Sequence, residues 1–223
     1  MQLHVQALYV HDEQARLVAI NDGSGNRAPR FFLGQTNQGH VWRFRNDLPL
    51  ELCAELTALC QREPLTTAER PIYEMEYGRL LAEHQPIAQI WFGPAYWFAE
   101  GVTVAPGPIP ITEQNADLLQ AELADWLPDV LTQQPFMAMV VNGQAVAVCA
   151  SVRITEVAHE AGVETLVGYR QQGYGAAVVS AWAEAVVKKG ALPIYSTSIE
   201  NRASQRVATR LGLSQYGSDF HIT

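Results

Sequence analysis

Along this chain of 223 residues the spacing of apolar positions changes from strand-like to helical and back. Over residues 1–48 the apolar runs are short and separated by turn clusters, which predicts strands. LHVQALYV (3–10) and RLVAI (16–20) are two such runs, and the loop NDGSGNRAPR (21–30) follows them. FFLGQT and HVWRFR, joined by Asn37-Gln38-Gly39, read as a hairpin. Between Pro49 and Arg62 the period becomes helical. Leu52, Leu56 and Leu59, with Ala54, Ala58 and Cys60, form one stripe, and Pro64 stands just past its end. A further helix is expected over 74–84, ahead of the aromatic run IAQIWFGPAYWF (87–98).

VAPGPIPITEQN (104–115), with three prolines and a glycine, is the linker candidate. Thr112, with Asn115 behind it, predicts the start of a helix through ADLLQAELADWL. FMAMVV and AVAVCASVRI flank Asn142-Gly143, the strongest hairpin signal in the chain. A strand over about 161–167, a helix over 174–189, a strand over 192–199 and a helix over 201–211 come next. A short apolar stretch with Phe220 and Ile222 ends the sequence. The second half therefore reads helix–β–β–β–α–β–α–β, an α/β layer arrangement, and the first half reads α+β. No internal repeat is present.

Composition narrows the function classes. At 48% apolar and 17% charged residues the chain can build a packed core. A net charge of -8 and a pI near 5.2 argue against general nucleic-acid binding, which needs a phosphate-neutralising surface. Cys53, Cys60 and Cys149 form no CxxC and have no histidine partner at zinc spacing, so they read as small buried hydrophobes. The six histidines show no ligand spacing, and no metal site is expected. No run of 18 apolar residues occurs and the start MQLHVQALYVHDEQ lacks the layout of a signal peptide. The expectation is a soluble, cytoplasmic, globular protein without a membrane partner, either monomer or homodimer.

The candidate chemistry lies in ETLVGYRQQGYGAAVVSAWAEAVVKKG (164–190). A strand leads into Arg170-Gln171-Gln172-Gly173-Tyr174-Gly175-Ala176 and then into a helix with the stripe Val178, Val179, Trp182 and Val186. Gly173 and Gly175 let backbone N–H groups approach a ligand without a Cβ in the way, at a helix N-terminus that attracts anions. Arg170 adds a forked donor. Together these make a phosphate cradle. It is not a P-loop, since no Gly-Lys-Ser/Thr follows, and it lacks the third glycine of a dinucleotide fingerprint.

Residues 111–223 resemble the GNAT acyltransferase superfamily, whose acetyl-CoA turn has this R-x-x-G-x-G-A form. LPIYSTSI (192–199) is similar to the family's next strand, and the run from Asn201 to Leu213 is similar to its following helix. The first half, through GPAYWF (93–98), is similar to an uncharacterised bacterial branch. The resemblance implies a division into an N-terminal α+β region, 1–104, and a GNAT-like domain, 111–223. The fold implied is α/β (α+β), with a mixed central sheet flanked by helices. The activity implied is transfer of an acetyl group from acetyl-CoA to the amine of a small molecule or peptide.

By alignment, the backbone of Thr165, Leu166 and Val167 would pair with the pantetheine arm. The N–H groups of Gln172, Gly173, Tyr174, Gly175 and Ala176, with Arg170 and Gln171 beside them, would hold the pyrophosphate. Asn201 stands where the family's Asn contacts CoA, though Asn equally suits a helix N-cap. Ser204 either reaches the cofactor or allows close packing.

Acetyl transfer needs a base, an oxyanion donor and an acid for the thiolate. Glu164 is the better base candidate and Glu160 the second. Their even separation puts both on one strand face unless a bulge at 159–162 breaks the alternation. A backbone N–H near Val167 suits the oxyanion. Many relatives carry a Tyr seven positions after the helix Asn as the acid. Here that position is Ala208, and Tyr195, Ser196, Tyr216 or water are the substitutes. The same alanine motivates the alternative of a catalytically silent acyl-CoA-binding module. The aromatic set Trp91, Phe92, Tyr96, Trp97 and Phe98 reads as core, with walling an acceptor pocket as the second reading.

Overall fold

The computed structural model describes residues 1–67, 69–98 and 106–223, so the first two residues of the expected linker, 104 and 105, lie outside the described residues. The chain divides into two compact units. One comprises 1–96, 196–202 and 215–223; the other comprises 97–195 and 203–214.

In the first unit, the expected strand over 3–10 is largely a helix. Helix α1 (Gln2–Leu8) buries His4, Val5, Ala7 and Leu8, a helical spacing, and leaves Leu3 40% exposed. Strand β1 (Tyr9–His11) then pairs antiparallel with β2 (Leu17–Ile20). The expected hairpin of β3 (Phe31–Thr36) and β4 (Gly39–Phe44) forms, with Asn37 and Gln38 as its two turn residues. The Thr36 hydroxyl donates to the Gly39 carbonyl at 2.6 Å and accepts from the Gln38 N–H at 3.1 Å, which fixes that turn.

Helices α2 (Leu50–Cys60) and α3 (Glu74–His84) follow as predicted. The buried stripe of α2 is Leu52, Cys53, Leu56 and Cys60; Ala54 and Ala58 are exposed. Strand β5 (Ile90–Trp97) and the last strand, β11 (Ser214–Ile222), complete the unit in the order β4–β3–β11–β5. Strand β11 runs antiparallel to β3, so Phe220 reaches the core beside Phe31 and Tyr77. Of the aromatic run, Phe92 is buried in this core, but Trp97 is 53% exposed because it ends the strand. All three cysteines are free and buried, as expected. Burial pushes the Cys60 thiol up to about 12, which keeps it protonated and inert.

The second unit contains the predicted β–β–β–α–β series. Strand β6 (Ile109–Pro110) pairs with β7 (Phe136–Val141), and β7 with β8 (Gln144–Ile154) across Asn142-Gly143. Both turn residues have positive φ, 52° and 79°, the conformation that an Asn-Gly hairpin turn requires. Strand β9 (Ala158–Thr165) is antiparallel to β8 and β10 (Leu192–Ser196) is parallel to β9, so the sheet is mixed. Helix α4 (Tyr174–Lys188) covers one face of β7, β8 and β9.

The single helix expected after Thr112 is instead two 3-10 segments, Glu113–Leu119 and Ala121–Asp129. The Asn115 side chain accepts the Thr112 N–H at 2.7 Å at the start of the first, as a cap should. Asn115 itself is non-helical, Gln120 breaks the run with ψ 163°, and Pro128 interrupts the second segment. Leu119, Leu123 and Val130 pack on Phe136, Ala138, Val148 and Ala150. This apolar layer covers the face of the sheet opposite α4.

Candidate functional site

Strand β9 carries both candidate bases. A bulge does occur, but in the partner strand, where the register shifts between Ser151 and Arg153. Strand β9 itself alternates regularly, so Glu160, Gly162 and Glu164 share the face toward the 3-10 segments. His159 points the other way. Its Nδ1 lies 2.8 Å from the Ser151 hydroxyl, which accepts a hydrogen bond from the Trp182 indole of α4 at 3.0 Å. His159 is therefore part of the α4 packing, not of the site.

The two carboxylates differ in environment. Glu160 is only 2% exposed. Glu164 is exposed, and its Oε2 accepts a hydrogen bond from Trp126 Nε1 at 2.7 Å. Trp126 comes from the second 3-10 segment and crosses above Gly162: a Cβ there would stand 3.3 Å from the indole and 2.2 Å from Val152 Cγ1. Gly162 is a glycine because the bulged Val152 and the indole leave no room.

Beyond Glu164 the chain departs from the expected strand over 161–167. Strand β9 ends at Thr165; the Leu166 N–H donates to the Val146 carbonyl at 3.0 Å, and Val167–Tyr169 form a 3-10 turn. The turn keeps Val167 exposed at the mouth of the loop. The loop then folds back on itself. Arg170 donates through Nε to the Thr165 carbonyl at 3.1 Å, closing the segment from strand end to helix start. Gln172 reaches the Gly168 carbonyl at 3.4 Å. Gln171 and Gly173 both have left-handed φ, 65° and 89°, and Gly173 is the N-cap of α4.

In α4 the first intrahelical bond is Ala177 N–H to the Gly173 carbonyl at 3.0 Å, so the amides of Tyr174, Gly175 and Ala176 open the helix. A Cβ on Gly175 would stand 3.1 Å from Thr165 Oγ1 and 3.5 Å from Val207 Cγ2. A Cβ on Gly173 would meet the guanidinium of Arg210 at 2.8 Å. Arg210 is the last residue of α5 (Arg202–Arg210), and sequence reasoning missed it. Nothing in its sequence position distinguishes it from an ordinary basic residue in a last turn. Arg170 of the loop and Arg210 from the end of α5 thus stand beside a glycine-lined helix N-terminus, a donor set that fits a pyrophosphate.

Asn201 directly precedes α5 and Ser204 lies in its first turn. Tyr195 of β10 is buried, and its hydroxyl lies 2.6 Å from Ser204 Oγ and 3.3 Å from the Ser204 carbonyl. The structure therefore brings Tyr195 and Ser204 together as one hydroxyl pair. Ala208, one turn further along α5, is fully buried. Among the described residues, no group of three or more His, Cys, Asp and Glu side chains is arranged to hold a metal ion, and no helix is long and apolar enough to cross a membrane.

This strand–loop–helix geometry can be set beside known proteins. Residues 136–218, from β7 into β11, match the family model described as GNAT acetyltransferase. Over this segment the chain is similar to the GNAT acetyltransferases. A Novosphingobium aromaticivorans protein assigned to the GNAT family is 16% identical with a TM-score of 0.52; the match covers 61% of this chain and 65% of that one, just under two thirds of its length. A GCN5-related N-acetyltransferase-like protein from Streptococcus suis is 15% identical over 88% of this chain and 85% of its own, with a TM-score of 0.50. A GCN5-related N-acetyltransferase from Sphaerobacter thermophilus is 12% identical over 92% and 78%, also at 0.50. At these identities the likeness is one of fold, a mixed sheet flanked by helices. A search of curated proteins finds no match. The glycine-containing turn lies inside the matched segment, whereas residues 1–135 lie before it.

Proposed function

We propose that the chain is an acetyl-CoA-dependent N-acetyltransferase acting on an amine by direct attack. One observation carries the reading: the loop with Arg170 and Gly173 leads from the strand that carries Glu164 into α4, where Gly175 lies in the first turn and Arg210 reaches in from the end of α5. Thr165 to Ala176, with Arg170 and Arg210, would hold the acyl-CoA phosphates and pantetheine arm, and Asn201 and Ser204 flank them from the start of α5. Acetyl-CoA, when bound, supplies an acetyl group activated as a thioester.

The remaining steps belong to side chains of this protein. Glu164 takes the proton of the acceptor's ammonium group and so frees its lone pair for attack. A backbone N–H near Val167 faces the oxygen that becomes negative. The Tyr195 hydroxyl, backed by Ser204, returns a proton to the departing thiolate. The acceptor side is acidic: Glu113, Asp117, Glu122, Asp125 and Asp129 lie in or beside the 3-10 segments, and no Lys or Arg occurs between Arg79 and Arg153. That charge balance favours cationic amines.

The test pairs binding with turnover. Acetyl-CoA should raise the melting temperature, and free thiol should appear with at least one member of a panel of primary amines. Stabilisation without turnover at any pH supports the second reading, a silent acyl-CoA-binding module, which the buried Ala208 favours. Absence of stabilisation refutes both.

A further inference from the structure

We propose that Trp126 is a positioning residue for the general base, holding Glu164 by one carboxylate oxygen so that the other faces the acceptor amine. The proposal rests on the assignment of Glu164 as base. The observation is the 2.7 Å hydrogen bond from Trp126 Nε1 to Glu164 Oε2, made across 38 positions of sequence. An exposed glutamate otherwise spreads over many rotamers, and fixing it costs side-chain entropy. Here that ordering comes from a ring that is itself held. The Trp126 ring meets Phe136 edge-on, with centroids 5.7 Å apart at 85°, and passes over Gly162. Leu123 and Val130, on either side of it, are buried in the apolar layer on the sheet. A packed indole is a rigid donor.

The chemistry of the pair suits a base. An indole N–H only donates, so Trp126 cannot compete for the proton that Glu164 must take. With Oε2 occupied, Oε1 is the oxygen left to receive the ammonium proton. The indole bond survives that transfer, because the carbonyl oxygen of a protonated carboxyl still accepts. Orientation is therefore kept through both protonation states, which general base catalysis depends on. Three local features serve this one contact. The bulge at Val152 turns the strand, Gly162 clears space for the ring, and the 3-10 segment delivers the ring from 38 positions away.

Trp126→Phe deletes the N–H and also the outer edge of the indole over Gly162, so its melting curve reports the lost packing separately from the rate. In the full chain we expect kcat for thiol release from acetyl-CoA with primary amines to fall roughly 10-fold, the loss of one hydrogen bond to a charged group. KM for acetyl-CoA should stay unchanged, and the protein should remain folded at the assay temperature with a modestly lower melting temperature. In a Glu164→Gln background the same change should have little further effect, since the two residues act as a unit. A readout free of activity is the 15N–1H resonance of the Trp126 indole. It should follow carboxyl protonation with pH in the wild type and lose that dependence in Glu164→Gln. An indole signal blind to pH, an unchanged kcat, or a loss that adds in full to Glu164→Gln overturns the proposal. Failure of acetyl-CoA to stabilise the wild type would fell the functional reading and this role with it, whereas a failed indole titration fells this role alone.

Discussion

The guanidinium of Arg210 lies against Gly173, so near that a Cβ on the glycine would stand 2.8 Å from Nη2. The end of α5 is thereby brought to the start of α4, and a second cation joins Arg170 at the loop proposed to hold the phosphates. Two substitutions separate the conformational part of this contact from the charge. Gly173→Ala places a Cβ at φ 89°, where L residues are strained, and pushes the guanidinium aside. Acetyl-CoA affinity should drop at least about 10-fold. Arg210→Gln leaves the backbone intact and should weaken binding by roughly 10-fold, with a flatter dependence on salt. Calorimetric titration with acetyl-CoA at two ionic strengths measures both. An unchanged Kd in Arg210→Gln removes Arg210 from the cradle.

The two carboxylates of β9 are expected to fail in different ways. Glu164→Gln should lower kcat by about 10²–10⁴, the usual worth of a positioned base, while acetyl-CoA still raises the melting temperature. Glu160 is 2% exposed, and Glu160→Ala leaves its buried surroundings unfilled, so its first effect should be on stability. Melting curves and initial rates on both variants decide the assignment. Full turnover in Glu164→Gln would shift the base to another group.

The same residues show what the sequence makes legible. Asn142-Gly143 and Gly173 are legible because a positive φ restricts the choice of residue strongly, and Gly175 because a Cβ there would crowd Thr165 Oγ1 at 3.1 Å. The helical stripes at 50–60 and 174–188 were readable because burial on one face imposes the period. Residues 2–8 misled because Leu3, Val5, Ala7 and Tyr9 also alternate as in a strand, and only packing chooses between the two periods. Helical periodicity after Thr112 was correct in kind, but Asn115, Gln120 and Pro128 split it into 3-10 segments. The partners Trp126 of Glu164 and Arg210 of Gly173 had no local signature at all. Each contact is made by the tertiary fold between residues 38 and 37 positions apart.

Burial, aided by the Lys189 ammonium, lowers the His159 pKa from its ordinary 6.5. The folded state therefore binds this proton less readily than the unfolded chain does. For a group shifted in that direction, stability is intact above the unfolded value and is lost as pH falls through the folded one. Melting temperature should thus decline as pH drops below about 6.5. In His159→Gln, which keeps an acceptor for the Ser151 hydroxyl, the decline should be smaller. Scanning calorimetry between pH 7.5 and 5 tests this; identical slopes in the two proteins would place the acid sensitivity elsewhere.

Ala208 raises the question of where the thiolate finds its proton. Restoring a tyrosine there is expected to fail, because the alanine is fully buried and a phenol in its place must displace the core. Overpacking of this kind costs about 1–3 kcal/mol or more. The Tyr195 hydroxyl is the nearby alternative, held at 2.6 Å from Ser204 Oγ one turn before Ala208 on the same helix. Tyr195→Phe deletes the proton and keeps the ring. Its stability loss should be about 1 kcal/mol, the net worth of one hydrogen bond. Its kcat should fall by more than that loss implies, and most at high pH, where protonated solvent species cannot substitute. Ser204→Ala keeps the Tyr195 proton and the bond to the Ser204 carbonyl, so its kcat should fall less. If Tyr195→Phe and Ser204→Ala slow the reaction equally, or not at all, the hydroxyl pair is structural and water supplies the proton.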